Sequence, residues 1–155
     1  AANCVSDLGP DDSMTLRGAA TYIRSDRQLL AGSPAAKLAG RIFNPPHWRA
    51  QGGISWDHRE LSLSTFGTYI AGTLDDRLQP VVPVGSYLSF DFTGQWTSDA
   101  PRGLLRGASV LIAVSNILNE RPSRTRSQSV NDPSYDSTNY PALGRTISVT
   151  VTKAW

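Results

Sequence analysis

Apolar and polar side chains alternate with a period of two over most of this chain, as they do in strands with one oily and one wet side. The carboxyl end is the clearest case. Ile147, Val149, Val151 and Trp155 fall on one face, while Thr146, Ser148, Thr150, Thr152 and Ala154 fall on the other. Between Ser86 and Thr97, the row Leu88, Phe90, Phe92, Gly94 and Trp96 opposes Ser89, Asp91, Thr93 and Gln95. Trp48, Ala50, Gly52, Ile54 and Trp56 likewise oppose Arg49, Gln51, Gly53, Ser55 and Asp57. Three weaker rows obey the same rule: Leu61 to Tyr69, Ala108 to Val114, and Met14 to Tyr22 at alternate positions. The pattern predicts an all-β, antiparallel, up-and-down meander of about six strands, and no helix of consequence.

The connections between these strands alternate in length. Asp57-His58-Arg59 and the segment Asp99 to Gly103 read as short turns. Long links run from about Asp26 to Pro46, Asp75 to Gly85 and Glu120 to Arg145. Loops beyond ~12–15 residues are uncommon in compact domains and usually carry function or disorder. Short turns at one end and long loops at the other describe an outer-membrane barrel, whose sheet is curved and closed.

Composition narrows the field. The 155 residues suit one domain, spanning 1–155, and leave little room for two. Thirteen Gly and ten Pro, against two Lys and two Glu, disfavour helix. No window approaches the ~18 apolar residues of a helical membrane span. A net charge of +2 with scattered basic residues gives no electrostatic footprint for a nucleic-acid partner. The single cysteine, Cys4, has no internal partner for a disulfide and no second thiol for a metal site. The chain opens at Ala1 without a signal-like segment, so a removed leader or a longer parent is expected.

Alternation alone suits a soluble sandwich as well as a membrane barrel. Three details favour lipid. The polar rows carry Arg49, Asp57, Asp91 and Gln95, as a wet lumen permits. Trp48 and Trp56 lie eight residues apart on one face, about 26 Å of strand at ~3.3 Å per residue. A tilt of about 40° reduces this to about 20 Å, near the ~25 Å between aromatic girdles. With Trp96, these residues form a candidate aromatic girdle. The chain also stops on an aromatic residue behind alternating hydrophobes. Yet six strands do not close a transmembrane barrel, for which ~8 is the smallest number. A subunit or a piece of a larger barrel is therefore expected.

The carboxyl-terminal third carries a family resemblance. Leu111-Ile112-Ala113-Val114-Ser115-Asn116-Ile117-Leu118-Asn119, with Pro122 after it, resembles the penultimate strand and "v-x-N-L-F-D…P" signature of TonB-dependent outer-membrane receptors. Asp132-Pro133-Ser134-Tyr135-Asp136, Tyr140-Pro141 and Gly144-Arg145-Thr146 are similar to that family's "y…y…p-x-G-R" approach to the last strand. Asn44-Pro45-Pro46-His47-Trp48-Arg49 and Ser86-Tyr87-Leu88, with Asp91, resemble its strand openings. Ile117-Leu118 in place of Leu-Phe, and Lys153 within the terminal apolar row, depart from the pattern. The resemblance implies the last six or so strands of a roughly 22-stranded plugged barrel, with the plug absent. It implies a bacterial outer-membrane location and energised uptake of a bulky solute such as a ferric siderophore, corrinoid or glycan. The implied partners are outer-membrane lipid, the rest of the barrel and its plug, the TonB complex through the missing part, and the barrel-assembly machinery. Val149, Val151 and Trp155 resemble the terminal signal read by that machinery.

Arg121, Arg124, Arg126 and Tyr135 fall on the longest expected outer loop and are candidates to meet an anionic ligand. A solvated loop, or one against anionic lipopolysaccharide, explains the same residues. His47 and His58 have no companions at ligand spacing, so no metal or cofactor is expected. Asp57-His58 beside serines lacks a nucleophile elbow, and no enzyme activity is expected. The alternative function is a soluble β-sandwich or barrel that binds carbohydrate or a lipid-like ligand.

Overall fold

The computed structural model describes residues 2–9, 11–28, 30–127 and 129–154, the side chains of Asp7 and Leu8 excepted. The elements are β1 (Ala2–Gly9), β2 (Asp12–Tyr22), β3 (Asp26–Arg27), β4 (Ala36–Lys37), β5 (Trp48–His58), β6 (Leu61–Ile70), β7 (Thr73–Asp75), β8 (Val82–Val84), β9 (Tyr87–Thr97), β10 (Ala108–Ser115) and β11 (Thr146–Lys153). Seven of them form one antiparallel sheet in the order β1-β2-β5-β6-β9-β10-β11, so each long strand pairs with the next. The remaining four make two small hairpins, β3-β4 and β7-β8, inside the long links. The sheet is open at β1 and β11, and its strands touch only their ladder neighbours. Among the described residues it neither closes into a barrel nor doubles into a sandwich.

The all-β antiparallel meander is as expected, with one strand more than the rows predict. In β1, Cys4 and Ser6 pair with Leu16 and Met14, which puts small residues on the oily side. Val5 faces the other way and is exposed. No apolar row forms, so alternation misses the strand although it pairs with β2 along its length, with one shift of register between Asp7 and Gly9. The turn expected at Asp99 to Gly103 is also longer, because β9 ends at Thr97 and β10 begins at Ala108. The turn after His58 is as short as expected, two residues with Arg59 at φ 48°.

Directly paired residues share a face, and the register collects every predicted apolar row on one side. Leu16, Ile54, Thr65, Phe92, Val114 and Ile147 form one line across the sheet. Met14, Trp56, Leu63, Gly94, Ile112 and Val149 form the next. On the reverse side run Thr15, Ser55, Ser64, Thr93, Ala113 and Ser148.

The long links all leave from one end of the sheet and fold over its hydroxylated side. Neighbouring residues show this directly. Ile70 is 7% exposed and Tyr87 is 2% exposed, whereas Tyr69 and Leu88, pointing to the oily side, are 38% and 44% exposed. Ile70 and Tyr87 join Val84 and Tyr140 from two of the links in the buried apolar cluster. This core therefore lies beneath the links and not on the oily face. We expect Ile70→Ala to cost about 2–5 kcal/mol, the range for emptying a buried aliphatic site. Chemical denaturation should read the loss, and hydrogen exchange should place it in the links while the far ends of the strands stay protected.

Candidate functional site

The three links, residues 23–47, 71–86 and 116–145, interlock through backbone and charge. Leu74 donates its N–H to the Gly40 carbonyl at 2.8 Å, and Ile42 donates to the Leu74 carbonyl at 2.9 Å, so the first link adds a short parallel bridge to β7. Gly40 sits at φ 78°, where a side chain is disfavoured, and a Cβ there would lie 2.5 Å from His47 Nε2. His47 in turn contacts the Ile23 carbonyl through Nδ1 at 3.0 Å, and so serves to close the first link onto β5.

An ionic knot fastens the second link to the third. Asp75 is 2% exposed and accepts three hydrogen bonds from Arg77, from Nε at 3.0 Å, Nη2 at 3.1 Å and the backbone N–H at 3.2 Å. Arg77 also reaches Asp132 at 3.4 Å and the Arg126 carbonyl at 2.5 Å, with its guanidinium 5.0 Å above the Phe43 ring. Arg126 Nη2 donates to the carbonyls of Leu78 at 2.7 Å and Asp75 at 3.3 Å. Its Nε stands 4.0 Å from Asp75 Oδ2, too far for a hydrogen bond but close enough to add charge attraction. The hydrogen bond from the Arg77 side chain is the chief reason that the Asp75 carboxyl is held below its ordinary value.

A second knot joins the first link to the third and to the sheet. Asp136 is fully buried, and its Oδ2 accepts the N–H of Phe43 at 3.2 Å and the Asn139 amide at 2.8 Å. That amide also donates to the Asn44 carbonyl at 2.7 Å, while Asn139 Oδ1 accepts from Arg49 of β5 at 2.9 Å. Tyr140 donates its hydroxyl to the Ala71 carbonyl at 3.0 Å. Asp91 of β9 accepts the N–H of Asn116 at 2.7 Å. Asn116, at φ 52°, closes its own loop by exchanging hydrogen bonds with the backbone of Glu120. Arg49 and Asp91, expected to face a wet lumen, are thus occupied by the third link.

The four candidate loop residues separate. Arg121, Arg124 and Tyr135 line one open cavity of about 370 Å³ with Asn119, Ser134 and Gly144. Arg124 and Tyr135 are a bridged pair, supported by Thr125 N–H to the Ser134 carbonyl at 2.9 Å. Arg126 lies elsewhere, drawn into the ionic knot. Two guanidinium groups, a phenol and a hydroxyl around one hollow suit an anionic or polyhydroxylated group. Among the described residues no three His, Cys, Asp or Glu side chains gather as metal ligands.

The girdle candidates fall at both ends of the oily face. Trp48 opens β5 and its ring lies tilted against that of Tyr22 at 5.0 Å, while Tyr69 lies one pair along the same side. Trp56 and Trp96 lie at the short-turn end, where Trp96 Nε1 donates to Glu60 at 2.8 Å and Trp56 stacks on His58 at 5.7 Å. His58 Nδ1 meets Asp12 at 2.6 Å. Val149 and Val151 are 61% and 71% exposed on the edge strand β11, and Trp155 lies outside the described residues.

The chain matches no protein-family model, no curated protein and no solved structure. Its function therefore rests on the residues themselves. Asp75, Arg77, Asp136 and Asn139 escaped sequence reading because the partners through which they join the links, such as Asp132, Arg126, Phe43 and Asn44, lie far along the chain; only the run Asp75-Asp76-Arg77 hinted at a local charge pair.

Replacing Asp75 with Asn leaves Arg77 and Arg126 without their shared counter-charge, and we expect a loss of about 3 kcal/mol. Amide exchange across residues 71–86 and 116–127 should quicken while β5 and β6 remain slow. A carboxyl with a depressed folded pKa stabilises above its unfolded value and loses that effect as pH falls through the folded one. The links should therefore loosen below pH ~3.8, the ordinary carboxyl value, and this acid transition should vanish in Asp75→Asn.

Proposed function

We propose that this chain is wall and outer loops of a bacterial outer-membrane β-barrel, similar to the carboxyl-terminal part of a TonB-dependent receptor. In that setting the complete receptor takes up a bulky solute, and the contribution of this chain is structural and ligand-facing, not enzymatic. One observation carries the reading: the sheet face holding most of its large apolar residues is left uncovered, while the links roof the hydroxylated face at its loop end. In water, apolar burial is the main drive to fold, and a monomer rarely exposes a contiguous oily patch beyond a few hundred Å². Hydrocarbon chains remove that conflict, and aromatic rings at both ends of the face suit the two interfaces.

Further features agree. The links fold toward the side that would face the lumen, as loops over a channel mouth do. Lys153 lies beside the short-turn end and donates to the Leu104 carbonyl, where a lysine is tolerated at ~0–1 kcal/mol. The open ladder edges of β1 and β11 require further strands in lipid, since each unpaired backbone group costs several kcal/mol there. Outer-membrane lipid, the rest of the barrel, its plug, the assembly machinery and, through the plug, the TonB complex are the partners this reading needs.

A charge scan of the two faces tests it. In lipid vesicles, Ile54→Arg should destabilise by about 2–4 kcal/mol, and Ser55→Arg on the reverse face by far less. Brominated lipids should quench the fluorescence of Trp48, Trp56 and Trp96. A chain that remains monomeric and folded in plain buffer, with no quenching by vesicles, favours the soluble binding module instead. In a complete receptor, replacing Arg121 and Arg124 together with Ser should weaken anionic-ligand binding in a salt-dependent manner without loosening the links. Replacing Arg126 should loosen them.

A further inference from the structure

Phe66 is an exception on the hydroxylated face. Arg17, Gly53, Phe66 and Asp91 form one line across β2, β5, β6 and β9. Gly53 has no side chain, and the Phe66 ring leans over its backbone, so that a Cβ on Gly53 would lie 2.8 Å from Phe66 Cδ2. The ring remains 38% exposed. Gln51 lies diagonally beside it, paired with Thr68. Arg17 and Gln51 are exposed and make no side-chain hydrogen bond or ion pair among the described residues. With Asn3, these side chains line an open cavity of about 400 Å³, within the ~300–1,000 Å³ of small-molecule sites.

The chemistry around this hollow is balanced. Arg17 only donates, while Gln51 and Asn3 both donate and accept. A single guanidinium beside two neutral amides does not concentrate positive charge, which argues against an anion. An exposed aromatic ring offers its electron-rich face to C–H groups. A pyranose has that combination: an apolar C–H face, and hydroxyls that each donate and accept. We propose that Phe66, Arg17, Gln51 and Asn3 form a binding site for a neutral saccharide of about disaccharide size. The site lies on the wet face, so it does not depend on which solvent meets the oily one.

The test uses the full chain in a detergent without a sugar headgroup, with maltose, cellobiose and lactose as probes. Saturation-transfer NMR and calorimetry should show millimolar binding of at least one sugar, little affected by salt. Phe66→Ala and Phe66→Leu should each weaken it about tenfold, and Phe66→Trp should retain it. Arg17→Ala and Gln51→Ala should each weaken it about threefold. Circular dichroism confirms that each variant keeps its sheet. Failure of all three sugars to bind at tens of millimolar overturns the proposal. So does unchanged affinity in Phe66→Leu, or displacement of the sugar by sulfate. None of these results touches the membrane reading, which the lipid-quenching experiment addresses on the opposite face.

Discussion

Burial in this chain is inverted, and the rest of the structure follows from that constraint. The side with Leu16, Ile54, Leu88, Ile112 and Val149 is open, each of these residues being more than two-fifths exposed. The side with serine, threonine, Arg49 and Asp91 carries the lid and the small apolar core beneath it. A single sheet has two faces, and water can satisfy only the polar one without loss. Among the described residues nothing in this chain covers the oily rows, and the membrane setting proposed above rests on that exposure.

The links are held together by buried charge. Long connections tend to be mobile because their backbone groups seek water. Here the buried carboxylates Asp75 and Asp136 gather guanidinium, amide and backbone donors from different links, so that the three behave as one layer. That layer leaves Arg121 and Arg124 free at its surface while it consumes Arg126. Three arginines spaced closely along the chain thus have two different jobs: one holds the loops in shape, and two remain available to whatever approaches.

How much of this was legible in the residues varies with distance along the chain. The rows from Met14 to Tyr22, Trp48 to Trp56 and Leu88 to Trp96 are local signals, and the ladders place all of them on one face. β1 was not legible, because a strand held by backbone pairing alone needs no apolar row. The hollow around Arg121, Arg124 and Tyr135 was partly legible from charge density on one loop. The departure of Arg126 into the knot was not, since its acceptors at Asp75 and Leu78 lie about fifty residues away.

Periodicity is a property of the backbone itself: successive strand residues point to opposite sides, so strand positions and their oily and wet faces are written in the order of residues. Which face the long links would cover is not, because that choice depends on contacts between residues distant in sequence. Tertiary structure turned Ile70 and Tyr87 inward, placed Tyr140 over them, and tied the links through Asp75 and Asp136. It also left a phenylalanine uncovered among hydroxyls, because its neighbour across the ladder is a glycine and there is no side chain to enclose the ring.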